Sequence, residues 1–218
     1  METIIIPTLN EAGRIELTLS KILFCFSDKK DLEIIVVDNG SSDSTLEIVR
    51  KFPVRLLNCP TPGKALAMKM GVETAQGDIL VFIDGDNTYE PDGIIDIIEL
   101  LRKTPARLIR ANRFMSEKSS MPYFRLIGNK LISTFASIYS QTSTTDVLSG
   151  FYGISKNDFL MLDLQSSGFE IESEIYRKIS QLNWPTQDLS VIYNGRKKSN
   201  LRPLTDGWKI FKSLLATS

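Results

Sequence analysis

The sequence predicts an α/β fold: a mostly parallel central sheet with helices on both faces. Three observations carry this expectation. In the first half, short continuous apolar runs alternate with segments of helical periodicity. The apolar runs lack the in–out alternation of a half-exposed sheet, so both of their faces need cover. Acidic and small residues gather just past the ends of these runs, at the edge where parallel sheets collect ligands.

The elements follow in order. Residues 3–7 (TIIIP) read as a buried strand, and 12–26 as a helix with Ile15, Leu19, Ile22 and Phe26 on one face. Residues 33–38 (EIIVVD) form a second strand, and 41–52 a short helix with Ser and Asp at its start, as N-caps prefer. A third strand at 54–58, a helix at 63–75 and a fourth strand at 78–84 come next. Pro91 opens another helix, through Lys103, and 106–111 is a fifth strand. Further on, 123–139 has apolar residues at helical spacing, 149–156 reads as a strand, 169–181 as a helix and 186–196 as a strand with its exit. No internal repeat, low-complexity tract or long linker interrupts the chain, so one compact domain over 1–218 is expected.

Composition narrows the chemistry. The 218 residues carry 26 basic and 26 acidic side chains, so no overall field favours nucleic acid. Cys25 and Cys59 suit small thiols in a reducing compartment, not a disulfide framework or a zinc site. The chain has no histidine. That removes imidazole bases, Ser-His-Asp and Cys-His nucleophiles and His-ligated metals, and leaves oxygen-held magnesium or manganese. No signal peptide and no membrane-spanning run is visible, so a cytoplasmic protein is expected, free or peripheral on the cytoplasmic face of a membrane.

Asp84-Gly85-Asp86 leaves the fourth strand on a tight turn. Two readings stand: capping of the next helix by Asp86, Asn87 or Thr88, or two oxygen ligands for a divalent cation. Two more polar loops, PTLNEAGRI (7–15) and VVDNGSSDST (36–45), share the same predicted edge. Gly63-Lys64 is no P-loop, because Asn58 stands where the first glycine belongs and Ala65 replaces Ser/Thr. No G-x-G-x-x-G follows a strand, which disfavours a Rossmann site.

Taken together, Pro7-Thr8-Leu9-Asn10-Glu11, VVDNGSSDST, Gly63-Lys64-Ala65 and Asp84-Gly85-Asp86 resemble, in order and spacing, the family 2 glycosyltransferases of GT-A fold. DVLSGFYGISK (146–156), GFEIESEI (168–175) and NGRKKSNL (194–201) are similar to the dolichyl- or polyprenyl-phosphate mannose and glucose synthases of that family. The sequence departs from the family at Asn39, where a second acid is common, and in the closing motif, where Lys197 and Lys198 stand upstream of Ser199. The resemblance implies a nucleotide-sugar-binding half over 1–112, an acceptor-side half over 113–201 and a C-terminal amphipathic helix over 202–218. It implies that Pro7, Asn10, Glu11, Asp38 and Lys64 bind the nucleotide-sugar, and that Asp84, Gly85 and Asp86 hold magnesium or manganese on its diphosphate.

The implied reaction moves a hexose from a UDP-glucose or GDP-mannose type donor to a polyprenyl or dolichyl phosphate, with inversion. A lipid phosphate is already ionised near neutral pH, its second pKa being about 6, so it attacks without a base. Arg196, Lys197 and Lys198 are the expected phosphate contacts, with Ser149 beside the donor sugar; a solvated charged turn is the other reading of the basic cluster. Arg113 and Arg125 are weaker candidates. Asp146, Glu170 and Glu172 have no assigned role, and Glu172 and Glu174 also suit a solvated helix side. If the acceptor is a soluble or glycan hydroxyl, one of these acids becomes the base. A third reading is a non-catalytic nucleotide-sugar-binding or membrane-peripheral scaffold. The 123–139 helix, and Trp208, Phe211, Leu214 and Leu215 beside Lys209 and Lys212, suit either an interfacial helix or packing on the core.

Overall fold

The computed structural model describes residues 1–27, 29, 31–140, 145–196 and 203–215, without the side chains of 124, 125, 135, 138–140, 203 and 204. In order the elements are β1 (Glu2–Thr8), α1 (Ile15–Cys25), β2 (Leu32–Asp38), α2 (Thr45–Val49), β3 (Arg55–Asn58), α3 (Lys64–Thr74), β4 (Ile79–Phe82), α4 (Gly93–Lys103), β5 (Leu108–Asn112), α5 (Tyr123–Ser140), β6 (Tyr152–Ser155), α6 (Lys156–Met161), α7 (Ile171–Gln181), β7 (Thr186–Ser190) and α8 (Pro203–Leu215). The strands form one sheet in the order β3-β2-β1-β4-β6-β5-β7. Only β6 runs against its neighbours β4 and β5; the other pairings are parallel.

The two-residue period of a strand explains why the apolar runs are continuous. Ile4, Ile6, Val36 and Val81 point to one face, where Ile15, Leu19 and Ile22 of α1 and Ile94, Ile97 and Ile98 of α4 cover them. Ile5, Ile35, Val37, Leu80 and Phe82 point to the other, under α3 and α7. Each buried isoleucine of α4 contributes roughly 1.5–3 kcal/mol relative to exposure. Gly71 lets α3 lie close on the sheet, because a Cβ there would stand 2.7 Å from the Ile5 Cγ2 methyl.

The second half differs in detail from the sequence expectation. The strand expected from 149 begins only at Tyr152, because Ser149 and Gly150 form the loop that enters it. Glu172 and Glu174, for which a solvated helix side was one reading, are both buried. The reason is that α7 packs on three sides, against the sheet-face core, α5 and α8. The apolar face of α5 is only partly covered. Ser133 and Ala136 are buried, while Tyr123, Ile127 and Leu131, four residues apart in sequence, are exposed. In α8, Ile210 and Leu214 pack inward, and Trp208 and Leu215 stay exposed.

Candidate active site

The parallel register fixes the site. Thr8 pairs with Asp38 and Asp38 with Asn58, so β1, β2 and β3 end together; β4 ends just before Asp84. Backbone bonds extend the alignment outward: Asn39 N–H donates to Thr8 O at 2.9 Å, and Ile83 N–H to Ile5 O at 3.2 Å. The loops after β1 and β2 are then stitched by side chains. Asn10, in the left-handed region at φ 54°, accepts from Ser42 N–H at 2.8 Å, and its own N–H donates to Ser41 Oγ. Glu11 N–H donates to Thr45 Oγ1 at 2.8 Å. Asp38 Oδ2 accepts from the N–H groups of Gly40 and Ser41, while its buried Oδ1 has no partner among the described residues. Pro7, half-buried, pairs with Val37 one position before the register ends.

Asn39 has a structural reason to be neutral. Its amide donates to Gly63 O at 3.1 Å and accepts from Gly63 N–H at 2.6 Å. A carboxylate accepts but cannot donate, so an acid here would lose the bond to the Gly63 carbonyl and leave that oxygen to the Ala67 N–H alone. The clasp positions the residue that follows, Lys64, at the first turn of α3.

Lys64 Nζ lies 2.8 Å from Asp84 Oδ1 and 2.7 Å from Glu172 Oε1. Burial opposes its charge, but Asp84 and Glu172 outweigh this and hold the ammonium above its ordinary pKa. Arg196 makes the second junction: Nη1 meets both Glu11 oxygens at 2.6 and 2.8 Å, and Nε meets Asp86 Oδ2 at 3.1 Å. Burial raises the Glu11 carboxyl above its usual range despite Arg196. Burial and then the neighbouring Asp84 charge raise Asp86 likewise. Burial raises Glu172, and Lys64 only partly offsets it.

The expectation that Asp86, Asn87 or Thr88 caps the next helix is not met, and Asp86 instead divides its oxygens between a turn and the site. Its Oδ1 accepts from Thr88 N–H and hydroxyl, an Asx turn, while Oδ2 faces the site. The N-cap of α4 is instead Asp92, whose carboxylate accepts from Gly93 N–H.

Beneath Asp84 lies a second, fully buried support. Ser149 Oγ donates to Ala111 O at 2.6 Å, so Ser149, expected beside the donor sugar, sits under the site with its proton engaged in the scaffold. Gly150 N–H donates to Tyr89 OH at 3.2 Å. Asp146 binds the N–H, Nε and Nη2 of Arg113 at 2.6–2.9 Å, both residues being buried. Glu174 accepts from the N–H groups of Gln165 and Ser166, and Glu170 from those of Ser167 and Gly168.

Of the residues singled out in sequence, Glu11, Lys64, Asp84, Gly85, Asp86 and Arg196 therefore meet in one cluster. Pro7, Asn10 and Asp38 flank it at the ends of β1 and β2. Lys197 and Lys198 lie outside the described residues, as does the Arg125 side chain. Sequence reasoning missed Tyr89, the Arg113–Asp146 pair and the Lys64–Glu172 contact. The available signal for Glu172 was an acid next to the Ile171, Ile175 and Ile179 stripe of α7.

The cluster fits a hard divalent cation: two carboxylates on one turn, each already facing a side-chain cation. Among the described residues no group of three or more metal-ligating side chains gathers, so the remaining ligands would be diphosphate and water. No helix among the described residues is long and apolar enough to cross a membrane.

The whole chain is similar to known proteins. It is 29% identical over 217 residues to "Glycosyltransferase AglJ" of Haloferax volcanii, covering 97% of this chain and 70% of that one. It is 29% identical over 189 residues to a dolichol-phosphate mannosyltransferase of Pyrococcus furiosus, covering 81% of this chain and 52% of the relative. The structure of glucosyl-3-phosphoglycerate synthase from Mycobacterium tuberculosis, in complex with Mn2+, UDP and glucosyl-3-phosphoglycerate, superposes with a TM-score of 0.76. That likeness, at 22% identity, covers 99% of this chain and 78% of that one and establishes the GT-A fold. Residues 3–160 match the glycosyl transferase family 2 domain. The edge of β1, β2 and β4, with its paired aspartates, is thus the candidate active site, and the chain belongs to glycosyl transferase family 2.

Proposed function

We propose that this chain moves a hexose, with inversion, from a nucleotide-sugar to a polyprenyl or dolichyl phosphate, using magnesium or manganese held by Asp84 and Asp86. The observation that carries this reading is the pairing state of the site. Asp84 and Glu172 lie on Lys64, Asp86 and Glu11 on Arg196, and Asp146 on Arg113. With these acids engaged and no imidazole in the chain, an acceptor that needs no base is favoured. The names of relatives such as the Pyrococcus furiosus enzyme point the same way.

In this reading Asp38, whose buried Oδ1 has no partner among the described residues, accepts from the nucleoside, and Pro7 and Asn10 shape that end of the site. When bound, the divalent ion neutralises charge on the departing diphosphate. Lys64 and Arg196 bring two further positive charges to the same oxygens, and Arg196 is suited to bidentate phosphate contact. The acceptor phosphate oxygen forms its bond to the anomeric carbon as the bond to the nucleoside diphosphate breaks. The electron pair leaves with the diphosphate, and no proton moves. Exposed Tyr123, Ile127 and Leu131 on α5, and Trp208 on α8 with Lys209 and Lys212 near it, support a peripheral seat on a membrane that presents the lipid.

The test is a transfer assay with labelled UDP-glucose and GDP-mannose, magnesium or manganese, and polyprenyl phosphate present or absent. Label entering the organic phase only with lipid and metal establishes the reaction and names the donor. Nucleotide release without lipid product moves the acceptor to a hydroxyl. Nucleotide binding with neither transfer nor hydrolysis overturns catalysis by this chain.

A further inference from the structure

Glu172 is not explained by the reaction just described. It comes from α7, and its carboxylate is buried beside the apolar stripe of that helix. An apolar residue here would fold more cheaply, because a buried ion pair rarely recovers its desolvation cost. What the carboxylate does is share the Lys64 ammonium. Nζ stands 2.7 Å from Glu172 and 2.8 Å from Asp84, so two acids hold one cation between them.

Consider the site without it. Lys64 would then close a one-to-one pair on Asp84, in surroundings where only 13% of the lysine side chain reaches solvent. Coulomb attraction is strong there, and any divalent cation would have to displace the ammonium from its sole partner. With Glu172 present, Lys64 already has a second anchor and can release Asp84 without being stranded.

We infer that Glu172 is a positioning residue that shares Lys64 with Asp84, so that a divalent cation can take Asp84 while Lys64 stays anchored beside the departing diphosphate. The inference rests on the metal assignment made above. It acts through Lys64 and links α7 in the second half of the chain to the cation site in the first.

The test reads manganese binding to the whole chain by electron spin resonance of the free ion, with manganese alone and then with UDP or GDP added. Replacing Glu172 by Gln should weaken manganese binding about tenfold, since it removes a charge and leaves Asp84 as the carboxylate that holds Lys64. Glu172→Asp should recover part of the loss. Lys64→Met should bind manganese alone more tightly than the wild type, because the competing cation is gone. The double variant Lys64→Met/Glu172→Gln should bind it more tightly than Glu172→Gln. A structural role alone would lower the melting temperature of Glu172→Gln and leave its manganese affinity unchanged. That result overturns the inference while the metal assignment stands. Should Glu172→Gln not fold, Lys64→Met decides alone: binding equal to or weaker than wild type overturns the inference. Wild-type protein that binds no manganese with either nucleotide overturns the metal assignment and the inference together.

Discussion

Gly150→Ala is the sharpest perturbation of Asp84, the proposed metal ligand, although residue 150 makes no contact with substrate in the proposed reaction. A Cβ at 150 would stand 2.8 Å from Asp84 Cγ and 2.9 Å from Oδ1, and closer still to Oδ2. Ordinary contact needs about 3.4 Å or more, so one partner must move by roughly half to one ångström. The backbone is the less yielding of the two. Ser149 is tied to Ala111 O, and Gly150 N–H to Tyr89 OH, whose ring is wedged edge-on between Phe151 and Tyr193. Asp84 must therefore turn, and its turn disturbs Lys64 as well. A displacement of about 1 Å at a positioned group costs on the order of 100-fold in rate, while an extra methyl costs roughly 1–3 kcal/mol of stability.

The assay is kcat/KM for hexosyl transfer across a manganese titration, beside a urea unfolding curve. The expected result is a folded protein with about 100-fold lower kcat/KM that more manganese only partly restores. The control is Gly128→Ala on α5, where an added Cβ meets nothing within 4 Å. That change should leave activity intact and stabilise by about 0.5–1 kcal/mol, the usual gain of alanine over glycine within a helix. Wild-type activity in folded Gly150→Ala protein would refute the argument that this loop aims Asp84.

Other perturbations read other parts of the structure. Asp146→Ala strips three hydrogen bonds from buried Arg113 and should cost about 3–5 kcal/mol, read from the urea midpoint. Burial opposes the Glu174 charge, but bonds from Ser166 and Gln165 hold its carboxyl below the usual range. The unfolded chain then binds that proton more readily, so the contribution is present above about pH 4.3 and lost as pH falls below it. Glu174→Gln should be less stable at pH 7 and lose less stability between about pH 5 and 3, as chemical unfolding at each pH would show. Leu131→Asp, at an exposed position of α5, should reduce flotation with anionic vesicles without shifting the melting temperature. Unchanged flotation would remove α5 from the proposed membrane seat.

The fold was legible because its signals are local. Ile4 to Ile6 and Ile34 to Val37 show their two-sided burial in composition alone, and α1 and α4 show theirs in helical spacing. Asp84-Gly85-Asp86 was legible for the same reason, as a carboxylate pair at the end of an apolar run. The partners of those carboxylates were not. Glu172 reaches Lys64 only because α7 crosses the sheet face beside α3, and Arg113 meets Asp146 across 33 residues. Periodicity reports which side of a helix is buried, not which charge waits there, so Glu172 and Glu174 read equally well as solvated acids. The antiparallel β6 was illegible in direction too, since a strand of four residues, three of them buried, looks alike in either sense.

Arg196 shows what such distant pairing means for the reaction. Its guanidinium ties Glu11, 185 residues away, to Asp86, so the loops after β1 and β4 are bridged by the exit of β7. A fork with separate nitrogens is required: Nη1 serves Glu11 while Nε serves Asp86. Lysine offers one compact charge and cannot span both at these distances. If Asp86 is taken by a divalent cation, Nε is freed toward the diphosphate while Nη1 stays anchored on Glu11. Arg196→Lys should then raise the donor KM about tenfold, the scale of one lost charge-assisted hydrogen bond of about 1.4 kcal/mol. Glu11→Gln should produce a smaller rise, because it loosens the anchor and leaves the phosphate contact. A donor KM unchanged in Arg196→Lys would mean that the guanidinium only braces the empty loops, and that its pairing with Asp86 has no part in holding the donor.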